Sequence, residues 1–429
     1  MEKDKVALQQ VALKRIWVFD VMLMMYFIVG VFTVINQQFQ IPLRSSMLPK
    51  EGNITNALVT LLNFSWFLAY PFSEKFAARW LESYGYRKTI LLALIILISG
   101  LEIYELAVLQ HLYIPIRLNI IGTGIPLGFF TFLIGSFVIG ISAAVLQVVL
   151  NLYLSVSSVG NTTALQRQMI GGSVNSIGMA IAPLMVSHFI FYNVSLSDVN
   201  SSRFLFPVFI MILIMILVTV LVSRVKFPDL PENTNAQTIS LQKSIWSFRR
   251  VRLGLWALGI YVGIEVAVGA NINMYAVSLG HSFALKATHM AALYWGFLLI
   301  GRLIGSFLKN VSSQRQLLTG AVGAIFFLLL AIIFDNPWIL TLIGLFHSIM
   351  WPAIFTLATD RLGPYTTKAS GILMIGVIGG GIIPLLQGIG ADVLSGIWRW
   401  TWGLIILGEA YILFYALSGY KIKSELPED

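Results

Sequence analysis

The chain has 429 residues, of which 57% are hydrophobic and 11% charged, whereas a soluble globular chain is about one quarter charged. That balance excludes a water-soluble fold, and the formal charge of +9 reads as the loop Lys and Arg of a bilayer protein rather than as a nucleic-acid footprint. With no cysteine and five scattered histidines, disulfides, thiolate chemistry and a metal cluster drop out, and no cofactor is expected.

Met1 to Arg15 is polar and basic and leads into an apolar run longer than the ~7 to 15 residues of a secretory core. No small-residue cleavage site follows, so the run reads as an uncleaved first span. Runs of about 20 apolar residues then place spans one to six near Trp17 to Pro42, Thr55 to Ala77, Thr89 to Leu109, Pro126 to Leu154, Gln168 to Phe191 and Phe204 to Val222. Spans seven to twelve follow near Leu253 to Leu279, Met290 to Phe307, Leu317 to Phe334, Trp338 to Ala358, Ala369 to Leu394 and Trp400 to Leu417. Helices are the form that satisfies its own backbone over such lengths in lipid. Between the sets, Arg224 to Arg252 carries Pro228, Pro231 and the polar stretch Asn233 to Ser240. It reads as an exposed joint with at most a short interfacial helix.

The expected fold class is an all-α membrane protein with twelve transmembrane helices in two pseudo-symmetric six-helix bundles, residues 1–223 and 253–429, joined by a linker at 224–252. An internal repeat supports the duplication: Ile177-Gly178-x-x-Ile181-x-Pro183-Leu184 in span five returns as Ile378-Gly379-x-x-Ile382-x-Pro384-Leu385 in span eleven. Tyr26 and Asn36 in span one share the spacing of Tyr261 and Asn271 in span seven, a weaker echo. Loop charge sets the orientation, because most Lys and Arg fall on the side of the N-terminus. The other side holds Arg44, Lys50, Arg117, Arg203, Lys286 and Arg399, with Arg302 inside a span. The positive-inside rule then puts both termini in the cytoplasm and the chain, multi-pass, in the inner membrane of the cell.

Charge at mid-membrane is expensive, which singles out Glu265 in span seven. It could bind a substrate, carry a proton or pair with Arg302 to hold helices together; the flanking Gly263 and Gly269 could let the helix unwind locally. Asp20, Glu102 and Glu105 lie in end turns, where water and headgroups are within reach. Glu409 is deep, in a span expected to be peripheral. A second signal is the set of membrane amides: Asn36, Gln37, Asn63, Gln147, Asn151, Asn175, Asn271, Asn273 and Gln387. Each could serve an interhelical bond, but together they favour a polar cavity, and Gln147 and Asn151 share a helix face. An amide both donates and accepts, as a sugar hydroxyl does. Trp66, Tyr294, Trp295, His347 and Trp351 add aromatic surface suited to the C–H face of a ring, or simply to packing.

These residues resemble the fucose, galactose and glucose proton symporter family of the major facilitator superfamily. The similarity is carried by Ser348-Ile349-Met350-Trp351-Pro352-Ala353-Ile354-Phe355-Thr356-Leu357-Ala358, by Gly379-Gly380-Gly381-Ile382-Ile383-Pro384-Leu385-Leu386-Gln387-Gly388 and by Ala391-Asp392. Val262-Gly263-x-Glu265-Val266-Ala267, Ala292-Leu293-Tyr294-Trp295-Gly296 and Gly301-Arg302-x-Ile304-Gly305-Ser306 agree too, and Leu146-Gln147 with Asn151, Arg167 and Asn175-Ser176-x-Gly178 in the first half extend it over nearly the whole chain. Glu82-Ser83-Tyr84-Gly85-Tyr86-Arg87-Lys88 looks like a degenerate form of the superfamily's latch loop. The resemblance implies the major facilitator fold and alternating access, with Glu82, Arg87, Lys88, Arg167 and Arg302 as gating residues. Two departures bear on coupling: Gln37 stands where proton-using members carry Asp, and Gln147 where the fucose branch carries Glu. An amide cannot titrate, so the usual proton relay is absent from both places. His347 stands where Asn is common, Leu152 replaces a usual Pro, and the outer loop from Gln110 to Leu127 is long.

The expected function is a secondary transporter of a monosaccharide, binding it through Asn36, Gln37, Asn63, Trp66, Gln147, Asn151, Asn175, Glu265, Asn271, His347 and Trp351. Glu265 is the coupling candidate. The expected partners are a sugar as small-molecule substrate, the lipid bilayer and either a proton or sodium as coupling ion or none, without nucleic acid, the chain acting as a monomer. The alternatives are a carrier or exporter of another small solute and, from another class, a non-transporting sugar sensor. The tail after Tyr420 is short for a sensor's output domain, and no nucleophile, base and metal constellation suggests an enzyme.

Overall fold

A computed structural model describes residues 2–49, 54–157, 159, 162–192, 198–227, 244–307 and 311–421. The polar stretch of the expected linker, with Pro228, Pro231 and Asn233 to Ser240, lies outside them. Eleven helical segments are long and apolar enough to cross a bilayer, beginning with Ile16–Met47 and ending with Trp398–Gly419. The second expected span is the first arm of a 59-residue helix, Thr55–Tyr113, which is interrupted at Gly85. Gly85 has φ 72°, a conformation that L side chains disfavour, and its non-helical backbone separates two arms. Asn36 touches both Leu62 of the first arm and Tyr104 of the second, so the arms run side by side as antiparallel spans two and three.

Local sequence explains several boundaries. Thr163 accepts from the backbone of Gln166 while Gln166 answers the backbone of Thr163, a capping box that starts span five. Ser312 caps span nine through the Arg315 N–H, and Asn336-Pro337 opens span ten. The long loop after span three is a departure from an all-helical chain, because it folds as an antiparallel hairpin of strands Arg117–Ile120 and Thr123–Pro126. Its two-residue turn, Ile121-Gly122, has φ of 51° and 76°, the all-positive turn that matches strand twist.

The repeated glycines do equivalent work in the two sets of spans. A Cβ on Gly178 would run into the Phe27 carbonyl of span one, and a Cβ on Gly379 into the Gly259 carbonyl of span seven. Spans five and eleven therefore press backbone to backbone against the first span of their own set. The Tyr echo holds as well: Tyr26 donates to Asn151 of span four, and Tyr261 to the His347 carbonyl of span ten. Asn36 and Asn271 do not match, for the first bonds spans two, three and four and the second bonds span eleven.

The two ends of the bundle differ. One end, here the terminal face, carries the start of span one and the loop at Gly85; the opposite end is the far face. On the far face, Asp392 of span eleven accepts from the Asn56 N–H at 3.0 Å, the Asn56 Nδ2 at 2.8 Å and the Ala57 N–H at 2.7 Å, all at the start of span two. Gln38 accepts from Asn273, the His188 and His289 rings meet edge to face at 5.7 Å, and Gly388 lies against Thr60. Toward the terminal face a Cβ on Gly172, Gly296 or Gly371 would meet nothing within 4 Å. Cross-half bonds thus gather at the far face, while open space lies beside Gly172 and Gly371 toward the other, where Arg302 crosses to Ser176 and Gly172.

Candidate functional site

Span one contributes two neighbouring amides with opposite fates. Asn36 is fully used inside the first half: its Oδ1 accepts from Tyr104 and Ser136, each at 2.8 Å, and its Nδ2 reaches the Leu62 carbonyl at 3.5 Å. It ties spans one to four together. Gln37 is 1% exposed, and neither side-chain atom has a hydrogen-bond partner among the described residues. Asn63 is alike, wholly buried with both amide atoms unpaired. It shares with Asn56, Thr60 and Phe67 the face of span two that packs on span eleven. Trp66 lines a small cleft within the first half with Asn36, Tyr104, Ile139 and Met211.

Gln147 is half-buried and Asn151 exposed, in the last turns of span four on the open side. Asn151 accepts from Tyr26 at 2.6 Å. Asn175 is half-buried and donates to the Tyr26 carbonyl at 2.9 Å, so part of its capacity goes to holding span five on span one. Trp351 is half-buried on span ten. Of the expected gating residues, Glu82, Arg87 and Lys88 are exposed, and Arg87 donates to the Ser223 carbonyl within its own half. Arg167 is buried and caps the end of span four, donating to the Leu154 carbonyl at 2.9 Å and the Thr162 carbonyl at 2.6 Å.

The second half holds the buried charge. Glu265 lies 3.9 Å from Arg302, and Arg302 crosses to the first half, donating to Ser176 Oγ at 2.5 Å and the Gly172 carbonyl at 3.3 Å. Behind this pair is a second one that the residue pattern alone underrated. His347 Nε2 and Glu409 Oε1 are 2.7 Å apart and both side chains are wholly buried. His347 Nδ1 meets Tyr294 OH at 2.7 Å, and Tyr294 also reaches the Glu265 carbonyl at 3.0 Å. Glu409 was legible as an acid deep in a membrane span, but not its partner. His347 is held by Glu409 and Tyr294 through its two ring nitrogens.

Span seven stays helical from Arg249 to Ser278. Gly263 and Gly269 do not unwind it; they admit Ile383 with the Gly379 carbonyl and the Trp295 indole, respectively. Asn271 donates to Gln387 at 2.9 Å, yet its Oδ1 is unpaired, as are Asn273 Oδ1, Glu265 Oε1 and Trp295 Nε1. A buried polar atom without a partner costs roughly 1–3 kcal/mol. Unpaired buried atoms occur on other spans too, among them Tyr86 OH, His111 Nδ1, Trp402 Nε1 and Glu409 Oε2, but the amides among the expected ligand contacts that keep one are Gln37, Asn63 and Asn271. Among the described residues no three His, Asp or Glu side chains gather as metal ligands would.

A family model described as Major Facilitator Superfamily matches residues 18–384. The chain belongs to the Major Facilitator Superfamily. It is a membrane carrier of that superfamily rather than an enzyme, and its relatives carry transporter names. A glucose/galactose transporter of Brucella abortus is 29% identical over 84% of this chain and 85% of its own length. A putative glucose/galactose transporter of Helicobacter pylori is 28% identical over 92% and 95%. Among solved structures, a single-residue variant of the E. coli fucose:proton symporter superposes with a TM-score of 0.63 at 22% identity, covering 95% of this chain and 99% of that one. That last likeness is one of superfamily fold.

Proposed function

We infer that this protein is a secondary transporter of a monosaccharide of the hexose class, working by alternating access in the cytoplasmic membrane as a monomer with both termini in the cytoplasm. The observation that carries the reading is the set of buried amides with unspent hydrogen-bonding capacity, Gln37, Asn63 and Asn271, with Asn63 on the face of span two that meets span eleven and a buried carboxylate, Glu265, on the same span as Asn271. Sugar hydroxyls donate and accept at once, so each can satisfy an amide in either orientation, and binding removes a desolvation cost the empty site carries. Gln147, Asn151 and Trp351 on the spread side form the approach. The names of the relatives above agree with this substrate class.

The cycle follows from the two faces. With the far face held by Asp392 on Asn56 and Ala57 and by Asn273 on Gln38, sugar exchanges with the cytoplasm. Transfer to the other side requires those bonds to break and the terminal ends to meet, a rocking of one six-span set on the other. Arg302 connects the site to that motion, because it reaches Ser176 and Gly172 in one set while lying near Glu265 in the other. A change at Glu265, by a hydroxyl or a cation, alters the hold of Arg302 on span five. The reading is tested by counterflow of labelled hexoses in proteoliposomes with a panel of competing sugars. Exchange of glucose, galactose or a near relative is expected, and absence of exchange for every monosaccharide overturns it.

A further inference from the structure

The His347–Glu409 pair is the most deeply buried of the acid–base pairs among the described residues. Both side chains are 0% exposed at 2.7 Å, and Glu409 Oε2 has no hydrogen-bond partner. The groups that face it come from every neighbouring span. Span seven offers Tyr261, whose OH donates to the His347 carbonyl, and Glu265; span eight offers Tyr294 and Arg302. Span nine packs on span twelve but carries its one charge, Arg315, at its terminal end.

A count of hydrogens shows what the pair can do. Tyr294 has one hydroxyl proton and two neighbours within reach, His347 Nδ1 at 2.7 Å and the Glu265 carbonyl at 3.0 Å. When the pair holds one proton, the imidazole carries it on Nε2 toward an ionised Glu409. Nδ1 is then an acceptor, and it takes the Tyr294 hydrogen. When the pair holds two, Nδ1 is protonated and donates to the Tyr294 oxygen, and the Tyr294 hydrogen turns to the Glu265 carbonyl. The pair goes from net charge −1 to zero, and one hydrogen bond moves onto the backbone of span seven beside the Glu265–Arg302 contact.

We propose that His347 and Glu409 form the proton-binding site of this transporter, taking up and releasing one proton per cycle and passing its state to Glu265 and Arg302 through Tyr294. A buried net charge of −1 is expensive in a membrane, and the second proton removes it. The site thus stands in the second half, away from Gln37 and Gln147, which cannot titrate. This rests on the transport reading above, but its failure is separable from that reading.

The test compares wild type with Glu409→Gln and His347→Gln in proteoliposomes, reading sugar counterflow and sugar-driven alkalinisation on the same preparation. Wild type is expected to show both. Each variant is expected to keep counterflow within about three-fold, lose alkalinisation by about ten-fold or more, and show a flattened pH profile of uptake. Glu409→Asp is expected to restore part of the proton signal. A Glu409→Gln protein that exchanges sugar and still alkalinises like wild type overturns the assignment, and so does a wild type that exchanges sugar with no proton movement. A wild type with no sugar exchange sinks the transport reading instead. Should Glu409→Gln fail to fold, His347→Gln carries the test, and if neither folds, wild type supplies it by its proton uptake on sugar addition in detergent: no uptake overturns the assignment.

Discussion

The two six-span sets share a backbone plan and divide the chemistry unequally. In the first, the deep polar groups are neutral: Asn36, Gln37 and Asn63, with Gln147, Asn151 and Asn175 nearer the open side. In the second they include Glu265, Arg302, His347 and Glu409, held in one connected network. Equivalent helix contacts, Gly178 on Phe27 and Gly379 on Gly259, show that packing was kept while ionisable groups were confined to one side. Under the proposed function this is a division of labour: the first wall offers hydroxyls only amides, which do not titrate, and the second adds to its amides Asn271 and Asn273 the groups that can carry charge.

The sharpest way to break that comparison is to neutralise the charged wall. Glu265→Gln keeps the shape but leaves Arg302 without its carboxylate, and is expected to reduce hexose uptake about a hundred-fold or to uncouple it. Unchanged uptake and pH dependence, measured in proteoliposomes, would remove Glu265 from the site. Next in size is a contrast between adjacent residues of the neutral wall. Asn36→Leu strands Tyr104 OH in the interior and is expected to destabilise by roughly 1–3 kcal/mol. Gln37→Leu removes two unpaired buried atoms, and is expected to leave the melting temperature unchanged or raise it while transport is lost. Thermal melts in detergent beside counterflow decide it; a fall in stability in both variants would make Gln37 a structural amide.

Much of this architecture was legible in the residues. Span number, the repeat and the burial of an acid at Glu265 follow from apolar length, internal periodicity and the cost of charge in lipid, which act locally along the chain. What was not legible depends on how helices turn toward one another. Asn36 and Gln37 have nearly the same side-chain chemistry and differ only by about 100° around span one, enough to put one into a network and leave the other unpaired. Trp66 points into its own half for the same reason. The partnership of His347 with Glu409 joins residues 62 positions apart, and no spacing rule predicts which faces of spans ten and twelve meet. The hairpin at Arg117–Pro126 hid in a loop because its turn, Ile121-Gly122, lacks the usual Asn or Asp.

The far-face closure can be broken separately from the site. Asp392 accepts three N–H bonds across the halves, and charge-assisted bonds contribute about 1.5–3 kcal/mol each. Asp392→Asn loses at least one of them and is expected to raise the population open at the far face about ten-fold. The chain has no cysteine, so one cysteine at Asn63 reports this directly, by labelling with an impermeant maleimide from outside. A labelling rate equal to that of the Asn63→Cys background would show that Asp392 does not hold the gate.

The smallest effect belongs to the latch loop, and its sign is opposite. Arg87 is exposed and bonds only the Ser223 carbonyl of its own half, and exposed contacts of this kind contribute under ~1 kcal/mol. In the state described here the terminal ends are apart, so Arg87→Ala removes nothing that joins the halves. When those ends meet, the loop Glu82–Lys88 comes to the closing face, and the variant weakens that state. Turnover is therefore expected to fall about three-fold, with sugar affinity unchanged and the labelling of Asn63→Cys from outside reduced rather than raised. A change in affinity instead would place Arg87 in the binding wall, and the separation of gate from site drawn above would fail at that point.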